Sequence, residues 1–303
     1  AAEVLKMDWE NCDVVTGRTD RHLPITSPQD GSNSIFTNTR TCFGAAQDLL
    51  AKMKEIAAMD LGGETADYEI DGSRIYQIAD SSAGMTYAEV AQRGIELGGK
   101  FSGESDLPEE LNTLTTLSVS RLAGSALMGI YHDPRHSNNP PGFTVTFTEI
   151  ELDKETGKFE ILDMVTIAEC GTVVHPQGLA NQLVGGAVWG IGLSALERHL
   201  YDPQNGLPAS AGFWQSKIPT YLDTPAKIGT GWVDLPDPEN PVGARGIGEP
   251  SMGAVSAALN AAISDALGGH MFDAAPVTTD MIVNHIAGIS EDATPLAQNN
   301  FRG

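Results

Sequence analysis

Cations are scarce in this chain. Eighteen lysines and arginines face forty aspartates and glutamates over 303 residues, a formal charge of −22. A surface that acidic repels phosphate backbones and anionic lipid, which argues against nucleic acid and membrane surfaces as partners. Cysteine is scarce too. Cys12, Cys42 and Cys170 are far apart, odd in number and in no metal-ligand pattern, so neither a disulfide framework nor a structural zinc site is expected. They point to buried thiols in a reducing, cytoplasmic compartment. No eighteen consecutive apolar residues occur, so no membrane-spanning segment is expected. A signal peptide is also missing. Ala1 to Trp9 reads as the interior of an amphipathic helix without a cap, so the chain is expected to be a processed or partial piece of something longer, and its targeting cannot be judged from its start.

What is present is 41% hydrophobic residues, enough for a large core or two subdomains. The stretch around which the rest is organised is Ala244-Arg-Gly-Ile-Gly-Glu-Pro-Ser-Met-Gly253. Gly246 and Gly248 read as a tight turn of bare backbone, and Pro250 suits a first helical position. Met252, Val255, Leu259, Ile263 and Ala266 recur at helical spacing. Glu249 thus stands at the positive end of a half-buried helix, a suitable place for an ionised carboxylate that must reach into a cleft. An acid there can equally be a plain helix-start residue that complements the dipole.

Along the chain, Asp13 to Gly17 reads as a short strand and turn, and Thr37 to Ala58 as a long helix with Cys42, Ala45, Leu49, Met53 and Ile56 on one face. The Gly31-Ser-Asn-Ser34 loop before that helix has the make-up of an anion cradle, a weak signal alone. Asp71-Gly72 marks a hairpin between Tyr68 and Tyr76. Thr86 and Glu89 form a capping box ahead of a helix to Arg93. Leu97 to Leu117 reads as connector, with a subdomain boundary between there and Pro141. His132, Arg135 and His136 carry no metal reading, because Pro134 breaks the helix that two histidines four apart would need. Gly142 to Asp153 and Lys158 to Ala168 read as an antiparallel pair, closed by Cys170 to Pro176 with His175 as a turn residue. Gln177 to Arg198 reads as a helix whose Gly185, Gly186, Gly190 and Gly192 imply very close packing, against another element or a bulky cofactor. Pro276 to Ile286 reads as a last short helix capped by Thr278, before a polar tail from Gly288.

Four of these segments, in order, resemble the molybdenum hydroxylases, the xanthine dehydrogenase and aldehyde oxidase family: the Gly31 loop, the Phe143 to Pro176 hairpin, Asn181-Gln-Leu-Val-Gly-Gly-Ala-Val-Trp-Gly-Ile-Gly192, and Gly246-Ile-Gly-Glu-Pro250. Val14-Val-Thr-Gly-Arg-Thr-Asp20 and Gln215-Ser-Lys-Ile-Pro-Thr220 are similar to further family segments. Arg18, Trp189 and Gln215-Ser216 depart from the family pattern. The resemblance covers only the second half of a family molybdenum subunit.

That resemblance implies an α+β fold of two mixed α/β subdomains with helices packed on β-sheets. Residues 1–130 would form a molybdopterin-binding subdomain incomplete at its N-terminus, and residues 131–303 a second one carrying the glutamate loop. It implies that Glu249 is the catalytic base and that Gly31, Ser32, Asn33, Ser34, Gln182 and Gly248 contact the pterin. Molybdenum would be held by the pterin dithiolene and by no protein atom. Trp189, Gly31 and Trp214 would line the substrate space. The implied reaction is oxidative hydroxylation of an electron-poor carbon, N-heteroaromatic or aldehyde, with water as the oxygen source. The implied cofactors are molybdopterin in its cytosine dinucleotide form, with [2Fe-2S] and FAD on partner subunits. A second molybdopterin-binding chain would supply the N-terminal half. Two alternatives stay open: a carbon monoxide- or reductase-type relative on the same scaffold, and a non-catalytic structural subunit whose Glu249 only caps a helix.

Overall fold

The computed structural model describes residues 1–25, 30–133, 142–202 and 204–289. Two units emerge: Ala1–Asp30, Ser34–Asn139 and Glu239–Pro241 in the first, Gly31–Asn33, Pro140–Pro238 and Val242–Gly303 in the second. Helices and small sheets make up both, an α+β architecture.

In the first unit a short helix α1 (Ala2–Leu5) precedes the long α2 (Ser34–Leu61). Gly62 and Gly63, both at φ 86°, end α2, since that backbone region favours glycine. Strands β1 (Tyr68–Ile70), β2 (Arg74–Gln77) and β3 (Gly84–Thr86) form an antiparallel meander. The expected hairpin is there, with Ile70 paired to Ile75 and Gly72 at φ 103°. At Gly72 a Cβ would collide with the Lys6 carbonyl, so the turn sits against the chain after α1. Helix α3 (Tyr87–Leu97) starts on the expected capping box: Thr86 accepts from the Glu89 N–H, and the Glu89 carboxylate accepts from Thr86. Met53, Ile56, Ala57, Tyr68, Ile70, Ile75 and Val90 form the core between α2, the meander and α3.

Three expectations fail in this unit. Val14 and Val15 form no strand and are 69% and 49% exposed; among the described residues no strand lies beside them to pair with. Leu97 to Leu117 is not plain connector, because α4 (Gly99–Ser102) and the start of α5 (Thr113–Leu122) fall in it. Asn112 caps α5 by accepting from the Thr115 N–H, a signal the apolar pattern hides. Finally, Cys42 is exposed and Cys12 partly so, leaving Cys170 as the one buried thiol. Cys42 keeps the expected helical spacing, but in its part of α2 the buried positions are Phe36, Arg40 and Ala46. His132 lies 3.4 Å from a Glu110 carboxylate oxygen; Arg135 and His136 lie outside the described residues, as does most of the tail from Gly288.

The second unit is built on β4 (Phe143–Leu152) and β5 (Phe159–Glu169), an antiparallel pair with a bulge at Glu149/Ile150. Between β5 and the sheet's third strand come α6 (Pro176–Ile191) and the short α7 (Phe213–Ser216). Strand β6 (Gly229–Val233) then adds parallel to β5. Its two glycines and short length conceal it in the sequence. Helix α8 (Pro250–Ala266) crosses β4 and packs on α6, and α9 (Thr279–Ile286) closes the core. Met164, Ala187, Ile191, Val255, Leu259, Ile263 and Ile282 are its centre. Thr278 holds the cap position of α9 without the expected side-chain hydrogen bond to the helix.

The α6 glycines divide by role. A Cβ on Gly190 would stand 2.6 Å from the Val255 Cβ and 2.8 Å from the Met252 carbonyl. Gly186 faces Ser251 in the same way, so both are bare because α8 lies against them. Gly185 faces the other side, where a Cβ would meet nothing within 4 Å. After α6 the helix widens into a π turn, Gly192–Leu196, whose Ser194 carbonyl takes the Val277 N–H at 2.7 Å. Pro176–Leu196 is long and apolar enough to cross a membrane by length and composition alone. Counting strict apolar runs misses it because small polar residues interrupt the run. Its buried leucines and glycines are taken up by α8 and β5 within the unit.

Candidate active-site loop

The loop before α8 is anchored at its first residue. Arg245 donates its backbone N–H to the Cys170 carbonyl at 2.7 Å, and its guanidinium binds Asp237 and Glu169. Asp237 is nearly inaccessible, and Arg245 and Glu169 are mostly buried. The hydrogen bond to Asp237 raises the Arg245 pKa most; burial opposes it and Glu169 adds to it. A planar guanidinium held from two sides by carboxylates is a rigid mount. It fixes the end of β5 and the connector after β6 to the start of the loop. Arg245 lies inside the central glycine-rich stretch, but nothing near it in sequence points to this role. Its partners, 8 and 76 residues away, carry no local signal.

Beyond this mount the chain runs Gly246-Ile-Gly-Glu. Ile247 is buried with Leu179 and Leu183 of α6. Gly246 is bare for a steric reason: a Cβ there would fall on the Ser32 carbonyl oxygen. Ser32 has φ 59° and Gly31 φ 56°, two successive left-handed residues. A non-glycine residue seldom adopts that conformation unless contacts hold it there.

Those contacts go to Glu249. The Glu249 N–H donates to Ser32 Oγ at 2.8 Å, and Ser32 Oγ lies 3.3 Å from Glu249 Oε2 and donates to it. Glu249 occupies the N-cap position of α8, yet its side chain makes no cap hydrogen bond. Gln182 approaches the same loop, its Oε1 2.9 Å from where a Gly248 Cβ would sit, with Ser32 Oγ at 3.1 Å.

Of the residues singled out in the sequence, Gly31, Ser32, Asn33, Gln182, Gly248 and Glu249 thus belong to one unit, and Ser32, Gln182, Gly248 and Glu249 converge. Ser34 is the first residue of α2 and belongs to the other unit. Trp189 is 52% exposed on the α6 side that carries Asn181, Gln182 and Gly185, whereas Trp214 on α7 is 84% exposed. His175 caps α6, accepting from the Gly178 N–H through Nδ1 at 2.7 Å, as a turn residue should.

Chemically, the convergent groups are neutral hydroxyl, amide and backbone donors and acceptors around one carboxylate. Among the described residues no three His, Cys, Asp or Glu side chains come together as a metal site. The open side of α6, bare at Gly185 and lined with exposed amides, suits a flat heterocycle with alternating donors and acceptors. A pterin has that form.

Comparison with known proteins agrees. A family model described as a molybdopterin cofactor-binding domain matches residues 1–225. The 6-hydroxypseudooxynicotine dehydrogenase complex subunit gamma of Paenarthrobacter nicotinovorans is 34% identical over 293 residues, 96% of this chain and 34% of the relative. An aldehyde oxidoreductase molybdenum-binding subunit of Escherichia coli K12 is 23% identical over 95% of this chain and 34% of its own length. Among solved structures, quinoline 2-oxidoreductase from Pseudomonas putida 86 superposes with a TM-score of 0.53 at 25% identity, over 80% of this chain and 28% of that one. The chain therefore spans about a third of the length of these relatives.

Proposed function

The chain belongs to the molybdenum hydroxylase family as a C-terminal molybdopterin-binding region, and from that premise we propose that Glu249 is its general base in the oxidative hydroxylation of an electron-poor carbon. Water is the oxygen source, and N-heteroaromatic compounds or aldehydes are the substrate class. The observation that carries the reading is the carboxylate of Glu249, which stands at a helix start without capping it and is held instead by Ser32 beside Gln182 and Gly248.

When bound, molybdopterin supplies a redox-active Lewis acid that acidifies water and accepts the substrate's electrons. The protein's own share is holding and proton transfer. Gln182, Asn33 and the backbone at Gly31 and Gly248 hold the pterin. Ser32 has one hydroxyl proton, already given to Glu249, so toward the pterin it acts only as an acceptor. The Ser32 bond is made to Oε2, and Glu249 Oε1 has no hydrogen bond among the described residues, which leaves it to take a proton from the attacking oxygen.

One unit carrying a single wall does not enclose a substrate. Relatives are about three times as long, and several are named as subunits. The remaining walls come from a further molybdopterin-binding polypeptide, and electrons leave through iron–sulfur and flavin partners. The names of the nicotine-derived and quinoline-acting relatives favour N-heteroaromatic substrates.

The test is to purify the protein with its partners, measure molybdenum and oxidised-pterin fluorescence, and assay nicotinate, purines and aldehydes in heavy-oxygen water. Bound molybdenum with label in the product is the expected result. A complex without molybdenum or pterin would leave a structural subunit, and turnover of carbon monoxide alone would move the chain to that branch.

A further inference from the structure

We infer that Ser32 is the positioning residue of Glu249, a clamp that fixes both its backbone and its carboxylate. The inference rests on the reading of Glu249 as base and adds what holds that base in place. The resemblance assigns Ser32 to the pterin; the geometry gives its hydroxyl a different principal duty.

A backbone N–H can only donate, so at 2.8 Å the Ser32 oxygen must be the acceptor for Glu249. The single hydroxyl proton is then free to point elsewhere, and Glu249 Oε2 at 3.3 Å is the acceptor it finds. One oxygen thereby bonds two ends of the same residue, 217 positions away in the chain. The glutamate side chain is folded back toward its own N–H, with Oε2 restrained and Oε1 left for chemistry. A hydroxyl that merely anchored the loop would need only the first of these bonds.

The backbone on both sides is shaped for this contact. Gly31 and Ser32 take left-handed conformations at φ 56° and 59°. Gly246 lacks the side chain that would otherwise overlap the Ser32 carbonyl. Gly248 leaves no room for a side chain between Ser32 Oγ and Gln182 Oε1, which would stand 3.1 and 2.9 Å from a Cβ. Arg245, held by Asp237 and Glu169, keeps the other end of the loop from drifting away.

The test compares the assembled enzyme with Ser32→Gly, Ser32→Ala and Gly246→Ala. Ser32→Gly removes the hydroxyl while easing the left-handed backbone, so misfolding does not confound it. Gly246→Ala displaces the clamp without altering either partner. Hydrogen exchange at the Glu249 amide should speed up about tenfold in each, the loss of one such bond. Exchange within α8 should stay as it is, and kcat per bound molybdenum should fall with KM nearly constant. Unaltered exchange at Glu249 would overturn the clamp. So would normal exchange with lost molybdenum, which would leave Ser32 as a pterin contact alone. Should Glu249→Gln remain active while Ser32→Gly still frees the amide, the clamp stands and the base assignment falls.

Discussion

Two alanine substitutions five residues apart on α6 should have opposite effects. At Gly190, alanine places a methyl 2.6 Å from the Val255 Cβ and 2.8 Å from the Met252 carbonyl. Neither atom can rotate away, since one is a branch point fixed to its helix and the other is backbone. Relief requires α6 and α8 to separate, an overpacking cost of about 1–3 kcal/mol and, with a backbone contact, at its upper end. Removing a glycine from a helix returns about 1 kcal/mol, so the net loss is about 2 kcal/mol. At Gly185 the methyl meets nothing within 4 Å, so only the gain of about 1 kcal/mol remains. Guanidinium unfolding followed by tryptophan fluorescence measures both. Gly185 also lies on the side of α6 assigned to the pterin, so Gly185→Ala should raise stability yet lower bound molybdenum. If Gly190→Ala proves neutral, the close packing of α6 on α8 is wrong. If Gly185→Ala keeps full molybdenum, that side of α6 does not face the cofactor.

Arg245→Met leaves the buried Asp237 and the mostly buried Glu169 without their cation, and should cost about 3 kcal/mol in chemical unfolding, with Arg245→Lys losing less because an ammonium lacks the two-sided fork. Thiol titration should modify Cys42 first and Cys170 last: burial raises the Cys170 pKa, and Glu169 and Asp234 further oppose its thiolate. At the β4–β5 turn, the Thr156 hydroxyl and then the Glu155 N–H hold the Asp153 carboxyl below its ordinary range. A depressed native value means the turn's contribution is present above the unfolded pKa and lost as pH falls through the native one. Amide exchange at Glu155 should therefore rise on acidification, and Asp153→Asn should remove that dependence.

Elements with a local cause could be read from the sequence. The Asp71-Gly72 hairpin, the Thr86/Glu89 capping box and the β4–β5 alternation each depend on neighbours a few residues apart, and each is found. What escaped depends on partners far along the chain. β6 is a strand only because β5 lies beside it, and its glycines hide it. Val14 and Val15 look like a strand but, among the described residues, have nothing to pair with. At the site, bare glycines around an acid and a proline point to the loop that packs against Ser32 and Gln182. The Arg245 mount and the Ser32 clamp were not legible, because their partners lie up to 217 residues away.

The most direct measurement is turnover and molybdenum content determined together on Glu249→Gln in the assembled enzyme. Glutamine keeps the size and an oxygen for Ser32, but it cannot take up a proton. The account predicts unchanged molybdenum with kcat reduced by about 10²–10⁴. Full metal with near-normal turnover would contradict it.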